Sequence, residues 1–199
     1  MKRLLANMLI VLALGLCLSP SAAKAQPRLV VKPLAEKTVT ELPAGPLFWR
    51  IETFDTRAAA ETVAGRWALV AESAGKAWLF TLGPRGGSSA GATKIADVGP
   101  ISPVVAARYL LRINEGSGPP GSITPAHTHP GSEAFYVLAG ETSSHTSHGV
   151  KRIVAGQSET GHGADTPMQV SSSGNTDMHS LVMFVVDADR PFSSPATFP

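Results

Sequence analysis

The sequence predicts an all-β fold, and three observations support this prediction. Short apolar runs recur along the chain, and segments rich in Gly, Pro, Ser and Asp separate them. Several neighbouring runs are joined by only a few turn-forming residues, as in β-hairpins. No long apolar pattern with the period of a helix competes with them. These features are typical of a sandwich or barrel of short strands, and 199 residues suffice for one domain with a sizeable core.

Residues 1–25 have the features of a secretory signal peptide. Lys2 and Arg3 give a charged start, residues 4–18 form an apolar run, and Ala23, Lys24 and Ala25 form a small-x-small cleavage site. The apolar run, of about 15 residues, is short for a membrane span. We therefore expect cleavage after Ala25 and a periplasmic or secreted protein that has no stable membrane span.

Removal of this segment changes the charge of the chain. The formal net charge of +2 includes Lys2, Arg3 and Lys24, so the mature chain carries −1. Because the basic excess belongs to the signal peptide, we expect no nucleic-acid partner. The only cysteine, Cys17, is removed as well. Leu16 precedes it where lipidation would require a small residue, so a lipoprotein is not indicated.

The remaining chain divides into four segments. Residues 26–46, rich in proline and polar residues, are predicted to form an extended lead-in. Residues 47–100 are predicted to form an N-terminal β extension, and residues 101–190 the main barrel. Residues 191–199 form a C-terminal tail.

Within the β extension, the order of signals predicts a strand, a helix and a hairpin. Residues 47–52 have the pattern of a strand, and residues 56–64 are alanine-rich and end at Gly65, as a short helix would. The apolar runs 67–71 and 77–81 are separated by a short polar segment containing a glycine, which predicts a hairpin. A core of Trp49, Trp67 and Trp78 is expected for this sheet, and residues 85–91 are expected to form a flexible loop.

The barrel segment contains four further strand signals. Residues 107–113 have the composition of a strand, and residues 141–147 and 151–154 are predicted to form another hairpin. Residues 181–186 are wholly apolar, which indicates a strand in the barrel interior or at an interface between sheets.

The strongest candidate site lies between residues 121 and 140. His127 and His129 are one residue apart, so on an extended strand both side chains point to the same face. Residues 130–132, Pro-Gly-Ser, are predicted to form a turn. Glu133 then begins the next strand, from which it can approach both imidazoles. Two neutral imidazoles and a carboxylate suit a divalent metal ion.

This segment resembles the first signature motif of the cupin family. That motif has a glycine, five residues, His-x-His, three or four residues, a glutamate, six residues and a glycine. Every position is filled here, by Gly121, His127, His129, Glu133 and Gly140. Over about residues 105–186, the resemblance implies a cupin-type double-stranded β-helix, or jelly-roll barrel, with an N-terminal strand and hairpin extension. It also implies one divalent metal ion, Fe, Mn, Zn or Cu, bound by the histidines and the glutamate.

The second cupin motif supplies another histidine, and the sequence departs from it. Alignment on Pro167 places Met168 at the position of that histidine. Three alternatives stay open for the fourth ligand. Met168 binds through its thioether, which would favour copper(I); His162 reaches in from the preceding turn; or the site has only two histidines and one carboxylate. Met168 as a packing residue is also compatible with the sequence.

The other histidines are expected to lie outside the site. His145 and His148 belong to the polar hairpin and should be exposed, and His179 should lie in a turn or at the rim of the barrel.

The resemblance implies a broad range of functions, from dioxygenases, decarboxylases and isomerases to binding modules without chemistry. The leading hypothesis is an exported metal-dependent small-molecule enzyme of dioxygenase type, with Glu133 or His162 as the candidate general base. The alternative is a non-catalytic small-ligand-binding module, which would tolerate Met168. A small-molecule partner is expected in either case, and a homodimer stays open.

Overall fold

A computed structural model describes residues 27–198, so the predicted signal peptide and its cleavage site lie outside the described residues. Within this range the chain forms one helix, α1 (Arg57–Val63), and fourteen strands. The strands are β1 (Val30–Val39), β2 (Phe48–Phe54), β3 (Ala68–Ser73), β4 (Lys76–Gly83), β5 (Thr93–Val98), β6 (Tyr109–Gly118), β7 (His127–Thr128), β8 (Gly131–Ala139), β9 (Glu141–Thr146), β10 (Gly149–Val154), β11 (Ser158–Glu159), β12 (Met168–Ser172), β13 (Met178–Asp187) and β14 (Ser194–Pro195). None of the helical structure between residues 27 and 198 has the length and apolar character needed to cross a membrane.

Strands β6–β13 form a jelly roll. One antiparallel sheet has the order β1-β6-β13-β8-β11, and the other has the order β10-β9-β12-β7-β14. Successive strands from β6 to β9 alternate between these two sheets, and β11, β12 and β13 alternate again. Two Greek keys wound in this way give the eight-stranded double-sheet arrangement of a double-stranded β-helix. The predicted all-β fold and its barrel type are confirmed.

The predicted lead-in contains a strand of the barrel. Strand β1 pairs with β6 along its whole length, with a register shift between Pro33 and Ala35. Proline cannot donate a ladder hydrogen bond and is therefore confined to edge strands or irregular positions, and β1 is at the edge of its sheet. Residues 30–39 of this segment are extended and belong to the sheet, so they do not form a separate lead-in.

The N-terminal extension forms a third sheet, of order β3-β4-β2-β5. One face packs against the first barrel sheet in a core that contains Trp49 and Trp78, with Trp67 partly buried beside it. Helix α1 covers the other face through Ala60, which packs with Leu79. The helix begins where the sequence predicts it, because the Thr56 side chain accepts a hydrogen bond from a backbone N–H of the first turn.

Residues 181–186 of β13 are all apolar because both faces of the strand are buried there. Leu181, Met183 and Val185 point towards the N-terminal sheet. Val182, Phe184 and Val186 alternate with them and point into the barrel. The period-2 geometry of a strand thus assigns one residue set to each of two cores. The candidate site lies in the barrel interior. The same strand therefore supports the site with one face and packs against the N-terminal sheet with the other.

The glycine-rich loop after β4, predicted to be flexible, is anchored by a buried carboxylate. Glu52 is fully buried and accepts hydrogen bonds from the backbone N–H of Ser89 at 2.7 Å and from its hydroxyl at 2.8 Å. Arg50 donates to Glu52 at 3.1 Å and to the Gly86 carbonyl at 3.2 Å. The prediction of a loop is correct, but these contacts hold it to β2.

Candidate metal centre

The first and last candidate ligands of the motif, His127 and Glu133, lie on different sheets. His127 belongs to β7, whereas Glu133 belongs to β8 in the facing sheet, and His129 lies at the corner between them. The predicted turn at residues 130–132 is wrong, because residues 131 and 132 already pair with β13. Gly131 makes this possible: a Cβ there would lie 2.2 Å from the Val185 carbonyl oxygen, so no larger residue fits.

The corner opens onto a cavity of about 380 Å³ between the two barrel sheets. His127, His129 and Glu133 all line it, so the structure brings the three residues of the first motif together at one cavity. The rest of the wall is mainly apolar and includes residues from β1, β6, β12, β13 and the C-terminal segment. Its other members are Leu29, Val31, Asn114, Gly116, Thr124, Pro125, Ala126, Phe135, Val170, Met178, Ser180, Val182, Phe184, Phe192, Ser193 and Pro195.

Both imidazoles are held in the same tautomer. The Nδ1 atom of His127 lies 2.8 Å from the Pro125 carbonyl oxygen, and that of His129 lies 2.6 Å from the Phe192 carbonyl oxygen. A carbonyl oxygen can only accept, so each Nδ1 carries the proton and each Nε2 keeps its lone pair. Imidazoles that bind metals through Nε2 are commonly oriented by such Nδ1 contacts.

Burial shifts the pKa values of His129 and Glu133 away from their ordinary values. The His129 ring is packed against the rings of Phe184 and Phe192, at centroid distances of 4.8 and 4.7 Å. Loss of water contact lowers the pKa of His129 to about 4, so the ring is neutral at pH 7. Desolvation raises the pKa of Glu133 to about 8, and its Oε2 atom is buried without a hydrogen-bond partner. A buried carboxyl group without a partner is costly, and a cation would satisfy it.

The donor set therefore fits a divalent metal ion in its chemistry, with two Nε2 lone pairs and one carboxylate oxygen at the same cavity. The rings of His127 and His129 are 4.9 Å apart and nearly perpendicular. Across residues 27–198, however, no three His, Cys, Asp or Glu side chains are close enough together to form a metal site as they stand. The shared cavity is observed, and ligation of a metal stays a prediction.

The two candidates for a fourth ligand lie elsewhere. Met168 pairs with His127 across β12 and β7, but it is buried in an apolar cluster with Phe135 and Phe184 and does not line the cavity. His162 does not line the cavity either, and its ring is stacked on that of His148 at 5.7 Å. Of the three alternatives left open by the sequence, this arrangement favours the set of two histidines and one carboxylate.

The remaining histidines are outside the site, as predicted. His145 and His148 are exposed, and the His145 ring stacks on Phe198. His179 lies near the start of β13 and not in a turn: its Nε2 atom lies 2.6 Å from the Glu115 carboxylate, which also accepts from the Ser73 hydroxyl. This cluster links β13 and β6 of the barrel to β3 of the N-terminal sheet.

Sequence reasoning missed the contribution of the C-terminal tail. Strand β14 pairs with β7, and Phe192 lines the cavity and accepts the His129 hydrogen bond. An aromatic residue in a polar tail was the only available signal, and it did not indicate which part of the barrel the tail would cover.

Comparisons with known proteins give partial likenesses. No protein-family model matches the chain, and no curated protein matches its sequence. A cupin superfamily protein from Desulfitobacterium hafniense is 16% identical over 39% of this chain and 68% of that chain, with a TM-score of 0.35. A cupin-like protein from Thermotoga maritima is 11% identical over 44% of this chain and 65% of that chain, with a TM-score of 0.39. A DMSP lyase from Ruegeria pomeroyi is 21% identical over 43% of each chain, with a TM-score of 0.37. The chain thus spans from under half to about two thirds of the length of these proteins.

The strand order of the chain itself identifies its fold. The eight strands β6–β13 are divided between two facing sheets in jelly-roll order, and the complete first motif lies on β7 and β8 and the segments next to them. The chain therefore has the fold of the cupin family, a double-stranded β-helix, with an additional N-terminal sheet.

Proposed function

We propose that the mature chain is an exported, metal-dependent cupin in which His127, His129 and Glu133 bind one divalent ion, Fe, Mn, Zn or Cu. One observation carries the proposal: the buried, unpartnered Glu133 carboxyl group lines the same cavity as two imidazoles whose Nε2 atoms are available. Export is proposed from the signal-peptide features of residues 1–25.

The leading activity is a metal-dependent reaction of a small molecule, of dioxygenase type. A bound divalent ion would supply Lewis-acid or redox chemistry to an oxygen-containing group of the substrate. The chain contributes a mainly apolar cavity and two imidazoles whose Nδ1 atoms are held by carbonyl oxygens. When it is not bound to metal, Glu133 can hold a proton, since burial raises the pKa of its carboxyl group to about 8.

A non-catalytic small-ligand-binding module is the second candidate. The packing of Met168 in the apolar cluster favours it, because the cavity wall then offers two imidazoles where a typical catalytic cupin would be expected to offer three. A binding module needs the cavity but no particular number of open metal positions.

Elemental analysis of the mature protein, purified from its native compartment, tests the metal proposal. We expect one equivalent of a single divalent metal per chain, and its identity will separate redox from Lewis-acid chemistry. Less than about a tenth of an equivalent in freshly isolated, folded protein would contradict the proposal, since a resident ion should be retained at a buried site.

N-terminal sequencing of the same sample tests export. A sequence that begins at Gln26 is the expected result. Intact Met1 on soluble cytosolic protein would contradict the export proposal and leave the metal proposal untouched.

A further inference from the structure

The cavity wall has very little charge. Apart from Glu133 and the two histidines, its polar side chains are Asn114, Thr124, Ser180 and Ser193, and no Lys, Arg or Asp lines it. Apolar side chains from both sheets form most of the remaining surface. A phosphate or a dicarboxylate buried here would find no basic side chain in the wall, and an unpaired buried charge is costly.

The nearest guanidinium group is already engaged. Arg112 donates through Nε to the Asn114 Oδ1 atom at 2.9 Å and lies 3.4 Å from the Glu36 carboxylate. Its Cζ atom is 4.3 Å from the centroid of the Phe192 ring. The ring faces the cavity, whereas Arg112 is not part of the cavity wall. This cation therefore packs against the wall through Phe192 and is not itself part of it.

Phe192 completes the wall from the end of the chain. Its ring packs on Phe184 at 4.9 Å and on His129 at 4.7 Å, so it joins the apolar part of the cavity to the candidate metal ligands. A cavity of about 380 Å³ is of the size that holds a small organic molecule. An apolar wall of this kind increases the affinity for an apolar ligand, because binding removes the apolar surface of the ligand from water.

We propose that the ligand of this cavity is an uncharged, mainly apolar small molecule of up to three rings, with a single polar end directed at the histidines and Glu133. This proposal deepens the proposed function. Only one part of it, the contact between the polar end of the ligand and a metal ion, rests on the proposed function. The size and charge of the occupant follow from the wall itself. The wall of the metal-free cavity offers no basic side chain to phosphorylated sugars or dicarboxylates, so we expect neither to bind there.

Titration of metal-free protein with N-phenyl-1-naphthylamine tests the proposal. This dye is uncharged and apolar, and its fluorescence rises when it leaves water. We expect saturable binding with one dye per chain. The Phe192→Ala substitution should weaken binding about tenfold, because it removes a wall residue. Phe198→Ala is the matched control and should bind as wild type does, because Phe198 lies on the same tail against His145 and outside the cavity.

A second variant guards against loss of the tail structure. Val182→Thr keeps the shape of a wall residue on β13 but adds a hydroxyl group, and it should also weaken dye binding by several-fold. Indole, a neutral competitor, should displace the dye, whereas oxalate and glucose 6-phosphate should not. The proposal is overturned by an absence of saturable binding, by displacement with either anion, or by wild-type affinity in both wall variants.

A zinc titration of the same samples separates this proposal from the metal proposal. Dye binding without zinc binding would contradict the metal centre and support the ligand class. Zinc binding without dye binding would support the metal centre and contradict the ligand class.

Discussion

The Nδ1–H group of His129 donates a hydrogen bond of 2.6 Å to the backbone carbonyl of Phe192, 63 residues further along the chain. This contact makes the C-terminal segment part of the candidate metal centre. It fixes the tautomer of the imidazole, and the Phe192 ring shields the same imidazole from water. Because the tail also pairs with β7 through Ser194 and Pro195, its position is coupled to that of His127.

Removal of the tail should weaken metal binding. Truncation after Arg190 deletes the carbonyl that orients His129, and loss of such a contact typically lowers metal affinity by about 10–100-fold. Zinc affinity measured by competition with a chromophoric chelator gives the size of the effect. A chain that ends at Ala196 is the control, because it keeps Phe192 and β14. Equal zinc affinities for the two truncated chains would show that the contact does not support the site.

The stability of the metal-free protein should fall as the pH rises from 6.5 to 8. Burial raises the pKa of Glu133 from its ordinary value of 4.5 to about 8, so the folded state binds more protons than the unfolded state over that interval. The lowered pKa of His129, about 4, has the opposite effect, which fades as the pH rises above the ordinary value of 6.5. Between pH 6.5 and 8 the effect of the glutamate is therefore the larger, and the free energy of unfolding should fall by about 1 kcal/mol.

Urea denaturation at several pH values measures this loss. The Glu133→Gln variant has no carboxyl group to ionise and should lack the loss attributed to Glu133. The same decrease in wild type and variant would contradict the assignment of the raised pKa to Glu133.

The sequence predicts the motif residues well because their geometry is local. His127 and His129 are two positions apart, a spacing that places both side chains on one face of an extended segment. Glu133 follows close enough in the chain to line the same cavity. The helix start at Thr56 is local in the same sense, since one side chain caps the first turn. In these two cases pattern and structure agree, whereas the turn predicted at residues 130–132 is overridden by the pairing of residues 131 and 132 with β13.

Features that depend on distant contacts could not be predicted in this way. The strand signal of β1 is weakened by Pro33, and only its pairing with β6 makes it a strand. No periodic pattern in the sequence predicts the hydrogen bond between His129 and Phe192. The loop at residues 85–91 looks flexible from its glycines, and the buried carboxylate of Glu52 that anchors it lies 37 residues before Ser89.

Met168 should behave as a packing residue. It is buried in the apolar cluster and does not line the cavity, so Met168→Leu should leave zinc and copper(I) affinities unchanged. Such a swap of similar volume should cost less than about 1.5 kcal/mol of stability. Parallel titrations with zinc and copper(I) provide the measurement. A selective loss of copper(I) affinity would instead identify the thioether as a ligand and restore the four-ligand alternative.

Glu52 should be essential for the stability of the N-terminal sheet. Glu52→Ala removes the acceptor of both Ser89 hydrogen bonds and of the Arg50 Nε–H group, and part-buried donors left without an acceptor cost about 1–3 kcal/mol. Glu72→Ala is the matched control. Glu72 is exposed and lies as far as 3.9 Å from the Arg57 guanidinium, so this substitution should cost less than about 1 kcal/mol of stability. Chemical denaturation of both variants measures the difference. Equal losses would mean that the loop is held by other contacts.

The central claim is that one divalent ion binds at the corner between β7 and β8. Isothermal titration of purified, chelator-treated protein with zinc tests it most directly, in wild type and in two double variants. We predict one zinc ion per chain in wild type and in His145→Ala/His148→Ala, whose histidines are exposed and outside the cavity. We predict no stoichiometric zinc in His127→Ala/His129→Ala, with the barrel still folded by circular dichroism. Full zinc binding by the His127→Ala/His129→Ala variant, or none by wild type, would contradict the claim.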